Sequence, residues 1–229
     1  MDPLAKPTEN TLLAPRFLFR FALPLRRKQP IWSKRGVALG EEHRLADLAS
    51  LDAGTASQER RFADFRLAWD DEGLAFTLKV TGKSQPVWCR ESRADDSDGL
   101  QLWIDTRATH NIHRASKFCH RFSFLPAGGG RGDAEPVAEQ LLINRARENA
   151  PPIRPSLLQV GAKQQQGGYA MLGFIPAAAL GGFDPSQHNT LGFHYQVLDR
   201  ELGLQTLANG VEFPVDEDPS CWATLDLVE

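Results

Sequence analysis

Cysteine is scarce in this chain. Only three of its 229 residues are cysteines, Cys89, Cys119 and Cys221. The number is odd, the spacing is wide, and no pair lies in a Cys-x-x-Cys arrangement, so the sequence excludes the paired framework of a small disulfide-stabilised domain. We therefore expect three free thiols, as is typical of a protein from a reducing compartment.

Long apolar runs and an excess of basic residues are also missing. No hydrophobic stretch is long enough to span a bilayer, and the N-terminus lacks the basic-then-apolar order of a secretory signal. The formal net charge is -3 at pH 7, so no strongly basic surface predicts binding to nucleic acid or to an anionic membrane. These absences predict a cytoplasmic protein without a nucleic-acid or membrane partner.

Motifs for catalysis are missing as well. The sequence contains no Gly-x-Ser-x-Gly and no Cys/His pair with a defined orienting partner. The glycines at 128–130 are not followed by a lysine and a helix, so they do not form a phosphate-binding loop. Asp95, Asp96 and Asp98 follow one another on one predicted loop, where carboxylates are normally solvated. We therefore expect that the protein is not an enzyme.

The most informative stretch that is present runs from Asp95 to Asp105. After Gly99 the residues alternate between an apolar set and a polar or aromatic set, namely Leu100, Leu102 and Ile104 against Gln101, Trp103 and Asp105. A period of two is typical of a strand with one face in a core. The opposite face would present an amide, an indole and a carboxylate to whatever lies above the sheet.

Other segments show the same alternation. They are residues 16–23, 62–69, 74–81, 118–125, 169–175 and 191–199, with 222–228 closing the chain. The segments 62–69 and 74–81 flank a short acidic loop that ends in Gly73, which predicts a β-hairpin. We expect the first strand to stop at Pro24, because proline donates no hydrogen bond to a sheet.

Many strands and little helix predict an all-β fold. We expect a loose N-terminal tail over residues 1–15 and one domain over 16–229. This domain would be an antiparallel β-sandwich, jelly-roll-like, with one concave sheet and few short helices. A Pro- and Gly-rich excursion at 126–155 would interrupt it.

The order of several motifs resembles the family 9 carbohydrate-binding modules and the related DOMON-like β-sandwiches. The motifs are Trp69-Asp70-x-x-Gly73-Leu74, Asp98-x-Leu100-x-x-x-Ile104-Asp105, Gly168-Tyr169 leading to Ile175-Pro176, Leu191-Gly192-Phe193-x-x-x-Val197-x-Asp199, and Pro219-x-x-Trp222-x-x-Leu225-x-Leu227. They cover the chain from about Phe62 to its end. The resemblance implies two antiparallel sheets and a non-catalytic protein that recognises a small saccharide on the concave face.

In the sugar-binding members of this family, two tryptophans clamp a terminal sugar over polar residues of the concave sheet. The resemblance places Trp88 at the first clamp, Gln196 at a sugar-binding glutamine, Gln101 at a ligand-binding glutamate and Arg121 at a binding arginine. The second clamp falls near residues 215–218, where the sequence has no tryptophan.

Alternation leads independently to a polar face. It places the side chains of Gln101, Trp103, Arg121, His194 and Gln196 opposite their apolar neighbours. If their strands are adjacent, indoles would meet the C–H surface of a sugar, while amides and Arg121 would meet its hydroxyl groups. The alternative is an ordinary solvated sheet face, covered by the 126–155 excursion.

Two further alternatives stay open at this stage. His110 and His113, together with Asp95 and Asp96, offer ligand types for a metal ion, and calcium is the cofactor that the acidic loop would bind. The chain would then be a metal-binding protein or a metal-dependent enzyme. The missing second tryptophan favours a different alternative, a cytoplasmic sandwich that has lost the sugar site and binds a protein partner instead.

Overall fold

A computed structural model describes residues 21–45, 61–207 and 213–229. The strands form two sheets, one of seven strands and one of four. No helix within these ranges is long and apolar enough to cross a membrane.

The strands have the following bounds. They are β1 Ala22–Arg26, β2 Ala63–Asp70, β3 Gly73–Thr81, β4 Gly99–Asp105, β5 Cys119–Gly129, β6 Glu135–Leu141, β7 Gln159–Gln165, β8 Gly168–Pro176, β9 Thr190–Asp199, β10 Gly203–Thr206 and β11 Ala223–Val228. Short 3-10 helices cover Glu41–His43, Glu91–Asp96, Pro155–Leu157, Ala177–Ala179 and Pro219–Cys221. The seven-stranded sheet has the order β1-β11-β9-β4-β5-β6, with β10 beside β9, and the four-stranded sheet has the order β2-β3-β8-β7. The predicted all-β sandwich with few short helices is confirmed.

The main hydrophobic core lies between the two sheets. In β4, Leu100, Leu102 and Ile104 belong to this core, as the alternation predicts. Facing residues of the four-stranded sheet include Phe65 and Phe76, which pack against Phe193 and Phe124 of the larger sheet. Because the apolar set of each strand faces inward, the other face of the seven-stranded sheet is left for polar side chains.

Glycine is required at both ends of the β3–β8 pair. A Cβ atom on Gly73 would lie 2.2 Å from the Ile175 carbonyl oxygen, and one on Gly168 would lie 2.0 Å from the Val80 carbonyl oxygen. The φ angles of these residues, 143° and 159°, are also in a region that side chains disfavour. The hairpin predicted around Gly73 is confirmed, with Asp71 and Glu72 between β2 and β3.

The prediction that Pro24 ends the first strand is wrong. Pro24 lies inside β1, which pairs with β11 in the parallel direction, so the sandwich is not wholly antiparallel. An edge strand accepts proline because one of its sides has no partner strand to receive a hydrogen bond, and β1 lies at an edge. Residues 16–20 of the predicted strand and the 1–15 tail lie outside the described residues.

The 126–155 segment contains strand structure where the sequence predicts an irregular excursion. β5 continues through Gly129, and β6 returns beside it as the outer strand of the sheet, with a shift in register between Leu125 and Gly129. Its remaining part, after Leu141, contributes Ile143 and Ala146 to a cluster on the outer face of β4. The excursion therefore extends the sheet and also covers part of its surface.

Candidate functional site

Four polar side chains form a continuous row across the seven-stranded sheet. Gln196 of β9 is opposite Gln101 of β4, Gln101 is opposite Ser123 of β5, and Ser123 is opposite Glu139 of β6. Opposed residues of antiparallel strands point to the same face. Their neighbours Leu100, Phe124 and Val197 are in the core, so the four, here called the polar row, lie on the outer face.

Several atoms of the polar row have no hydrogen-bond partner. Ser123 is 0% exposed and its Oγ is unpartnered, as is the buried Oε1 of Glu139. Within the described residues, the Gln101 amide nitrogen and the whole Gln196 side chain also make no hydrogen bond. Buried polar atoms are normally paired, so the unpartnered Ser123 Oγ and Glu139 Oε1 are a feature that a polar ligand or water would complete, whereas Gln196 is partly exposed to solvent.

Arg121 lies beside the row and joins it to the loop above. Its Nη2 donates to Oε1 of Gln101 at 2.6 Å and to the Asp95 carboxylate, and its guanidinium lies 5.0 Å from the centre of the Trp103 ring. The side chain of Arg121 is only 13% exposed. Arg121 therefore fixes the Gln101 side chain through its amide oxygen and leaves the Gln101 amide nitrogen unpaired. It also holds the Asp95 carboxylate beside the row.

Trp103 and His194 are on the predicted face, but the chain itself covers them. Trp103 is 0% exposed and packs with Ala115, Ile143 and Trp222, while its indole nitrogen donates to the Asp216 carbonyl oxygen at 3.2 Å. His194 is buried against Trp103, and burial lowers its pKa to about 3. Ligand contact by these two residues stays a prediction, and in the structure both are buried beside the row.

Trp88 is half-buried at the other end of β4. Its backbone N–H donates to the Asp98 carboxylate at 3.0 Å, and its ring carries the guanidinium of Arg200 at 4.1 Å. Arg90 and Arg93 approach the same ring, each at 5.7 Å. At least one ring face is therefore occupied by a cation that the chain supplies.

A buried ion cluster fixes the loop that carries Trp88. Lys83 Nζ lies 3.1 Å from Asp98 Oδ2 and 2.6 Å from Asp199 Oδ2, and all three side chains are buried. Burial lowers the pKa of Lys83, but the hydrogen bonds that its ammonium group donates to Asp199 and Asp98 outweigh this effect, so the pKa is raised. Asp98 thus ties Lys83, the backbone of Trp88 and the backbone of Arg200 together.

The four predicted metal ligands have separate partners. Asp95 pairs with Arg121, and Asp96 pairs with Arg93. The His110 Nε2 lies 2.9 Å from the Thr224 hydroxyl, and His113 Nδ1 lies 3.0 Å from Asp218 Oδ2. Across residues 21–45, 61–207 and 213–229, no group of three or more His, Cys, Asp or Glu side chains could hold a metal ion. Calcium binding stays a prediction that no observation here tests.

A Ser-His-Asp grouping at this surface lacks the geometry of a catalytic triad. Ser220 Oγ lies 3.1 Å from His113 Nδ1, the same ring nitrogen that faces Asp218. In a triad the hydroxyl and the carboxylate contact different nitrogens of the imidazole. One nitrogen accepts the proton of the hydroxyl, while the N–H of the other donates to the carboxylate. This group is therefore a surface hydrogen-bond cluster.

Sequence reasoning missed Glu139. The segment 137–147 shows no clear period, so neither its strand nor the direction of its side chains could be assigned. Ser123 lies two residues after Arg121 and so shares its outward side of the strand, but nothing in the sequence indicates that its hydroxyl lacks a partner. The sequence feature that could have identified Glu139 is the glycine-rich end of β5. It indicates a turn, after which a short strand carrying Glu139 pairs with β5.

Comparison with known proteins identifies the fold. No family model matches the sequence, and no curated protein matches it significantly. Two solved structures of a family 9 carbohydrate-binding module from Caldicellulosiruptor kristjanssonii are similar in fold, each at 12% identity. The complex with cellotriose has a TM-score of 0.57 over 90% of this chain and 93% of the module. The complex with glucose has a TM-score of 0.59 over 91% and 96%. The chain therefore has the β-sandwich fold of the family 9 carbohydrate-binding modules.

Proposed function

We propose that this protein is a non-catalytic receptor for a small saccharide, which it binds over the polar row. The observation that carries the proposal is the unsatisfied hydrogen-bonding capacity of adjacent residues on one sheet face. Ser123 Oγ and Glu139 Oε1 are buried without a partner, and the Gln101 amide nitrogen and the Gln196 amide are unpaired among the described residues. The fold shared with modules solved in complex with glucose and cellotriose supports the same proposal.

The polar row offers the chemistry that hydroxyl groups need. Each sugar hydroxyl donates one hydrogen bond and accepts others, so it suits a surface that alternates donors with acceptors. The Gln101 and Gln196 amides supply both kinds of group, and Glu139 supplies an acceptor. Arg121 contributes by holding Gln101 in place at 2.6 Å.

The covered parts of the face restrict the ligand. Trp103 is opposite Arg121 in the sheet, so the cluster around Trp103 and the ion pair of Arg121 with Asp95 from the 3-10 helix Glu91–Asp96 lie on the same side of the row. This coverage next to the row favours a small saccharide over the length of a polysaccharide. Trp88 lies next to the Glu91–Asp96 helix, and Arg200 covers one face of its ring. A sugar would therefore contact this ring only beside Arg200 or by displacing it.

Isothermal titration calorimetry against mono- and oligosaccharides tests the proposal. Wild-type protein should give saturable heat with at least one sugar, and Gln101→Ala should weaken that binding by about tenfold, the loss expected for a buried hydrogen bond. Gln165→Ala is the matched control, because Gln165 is exposed on the four-stranded sheet. Absence of heat with every sugar would overturn the proposal and favour the alternative of a protein-binding sandwich.

A further inference from the structure

Glu139 is a carboxylate that the chain leaves without a cation. It makes no ion pair or hydrogen bond with any of the described residues, and its Oε1 is buried. The nearest strand carries Arg121, but that guanidinium is engaged by Asp95 and Gln101. A partly buried carboxylate without a positive partner is costly, so the position invites a cation from outside the chain.

The neighbouring charges strengthen this preference. Glu91 and Asp95 lie close enough to Glu139 to act with its burial in raising the pKa of the Glu139 carboxyl group. Arg121 pairs with Asp95 and Arg93 pairs with Asp96, so neither guanidinium is left to balance Glu139 and Glu91. This end of the polar row is therefore negative.

An independent feature beside Glu139 also points to a ligand. Ser123 is opposite Glu139 in the sheet, is 0% exposed, and has an unpartnered hydroxyl oxygen on the same face. A protonated amine carries three N–H donors and accepts no hydrogen bond, so it would satisfy a carboxylate and a hydroxyl acceptor at once. A neutral sugar hydroxyl could satisfy one of them but would leave the charge of Glu139 uncompensated.

We propose that the saccharide recognised over the polar row is an amino sugar whose protonated amine binds between Glu139 and Ser123. This inference rests on the proposed saccharide-binding function and specifies its ligand class. The hydroxyl groups of the same sugar would then bind the amides of Gln101 and Gln196. A sugar whose amine is acetylated would lose the charge and would also add bulk at the covered end of the row.

The test compares glucosamine, glucose and N-acetylglucosamine by calorimetry on the full chain. We expect glucosamine to bind about tenfold more tightly than either neutral sugar, since charge-assisted hydrogen bonds are roughly twice as strong as neutral ones. Glu139→Gln keeps the shape of the side chain and should remove this preference. Glu135→Gln, on the same strand at an exposed position, should leave the preference unchanged.

The outcomes distinguish a failure of the amino-sugar assignment from a failure of saccharide binding itself. Equal binding of all three sugars, or a preference that survives in Glu139→Gln, would overturn the amino-sugar assignment but keep saccharide binding. No binding of any sugar would overturn both. If Glu139→Gln fails to fold, Glu91→Gln replaces it, because Glu91 is exposed and its charge acts on the same group. That variant should reduce the preference about threefold, and an unchanged preference would contradict the assignment.

Discussion

Ser123 and Glu139 lie opposite each other on β5 and β6, and each has a buried side-chain oxygen without a hydrogen-bond partner. Such a pair is unfavourable in a free protein, because a buried polar group that loses water gains nothing in return. The cost is understandable if the two oxygens meet a ligand.

Ser123→Ala should stabilise the free protein while weakening saccharide binding. Removing an unsatisfied buried hydroxyl should raise the free energy of unfolding by about 1 kcal/mol. Ser97→Ala is the matched comparison, since Ser97 is equally buried but its hydroxyl donates to the Arg93 carbonyl oxygen at 2.8 Å. Its loss should lower the free energy of unfolding by about 1 kcal/mol. Urea unfolding measures both, and destabilisation by Ser123→Ala would show that its hydroxyl has a partner.

Lys83→Met should destabilise the protein severely. The variant leaves Asp98 and Asp199 buried without their shared cation, for which a loss of about 3–5 kcal/mol is expected. Lys79→Met, at an exposed position of β3, should stay within about 0.5 kcal/mol of wild type. Chemical denaturation measures the difference. Near-equal stability of the two variants would mean that water reaches the cluster around Lys83.

His194 should make the protein sensitive to mild acid. Burial lowers its pKa from 6.5 to about 3, so the unfolded chain binds a proton at pH 5 that the folded chain does not. Stability therefore falls as the pH drops below 6.5, and the loss from this one residue between pH 7.5 and pH 5 should be about 2 kcal/mol.

A variant without the imidazole isolates the contribution of His194 to the pH dependence of stability. His194→Asn should lose less stability between pH 7.5 and pH 5 than wild type, whatever its stability at pH 7.5. Thermal unfolding at both pH values gives the comparison. His120, whose pKa is also lowered by burial, is unchanged in the variant and cancels in the difference. An identical loss in both proteins would show that His194 is solvated or paired.

Trp88 and Arg200 should respond differently to substitution. Trp88→Ala removes an apolar surface near the row, so saccharide affinity should fall. Arg200→Ala uncovers the ring face on which the guanidinium lies at 4.1 Å, so affinity should stay the same or rise. Calorimetry with the best sugar distinguishes these results. A large loss in Arg200→Ala would instead make the arginine a direct ligand contact.

The sequence predicts the sandwich well because its strands are half-buried. Alternation in β4 and in the β2–β3 hairpin records which side of each strand faces the core, and that information is local. The pairing of strands is not local. Gln101 and Gln196 become neighbours only because β4 pairs with β9, and nothing in either segment specifies this partner or its register.

The coverage of the site could not be predicted for a related reason. Trp103 belongs to the outward set of its strand, yet Ile143 and Trp222 from distant segments bury it. Loops follow no period, so their position over a sheet depends on tertiary packing. Lys83 shows the same effect, because a single lysine in a loop is normally solvated, and only the fold brings Asp98 and Asp199 to it.

The most direct test of the account is an NMR titration that follows the side-chain amide resonances of the glutamines during addition of a sugar that gives heat. We predict that the resonances of Gln101 and Gln196 shift and saturate with the affinity measured by calorimetry, while that of Gln165 on the opposite sheet does not move. Unchanged Gln101 and Gln196 resonances at saturating sugar would contradict the claim that the polar row is the binding site.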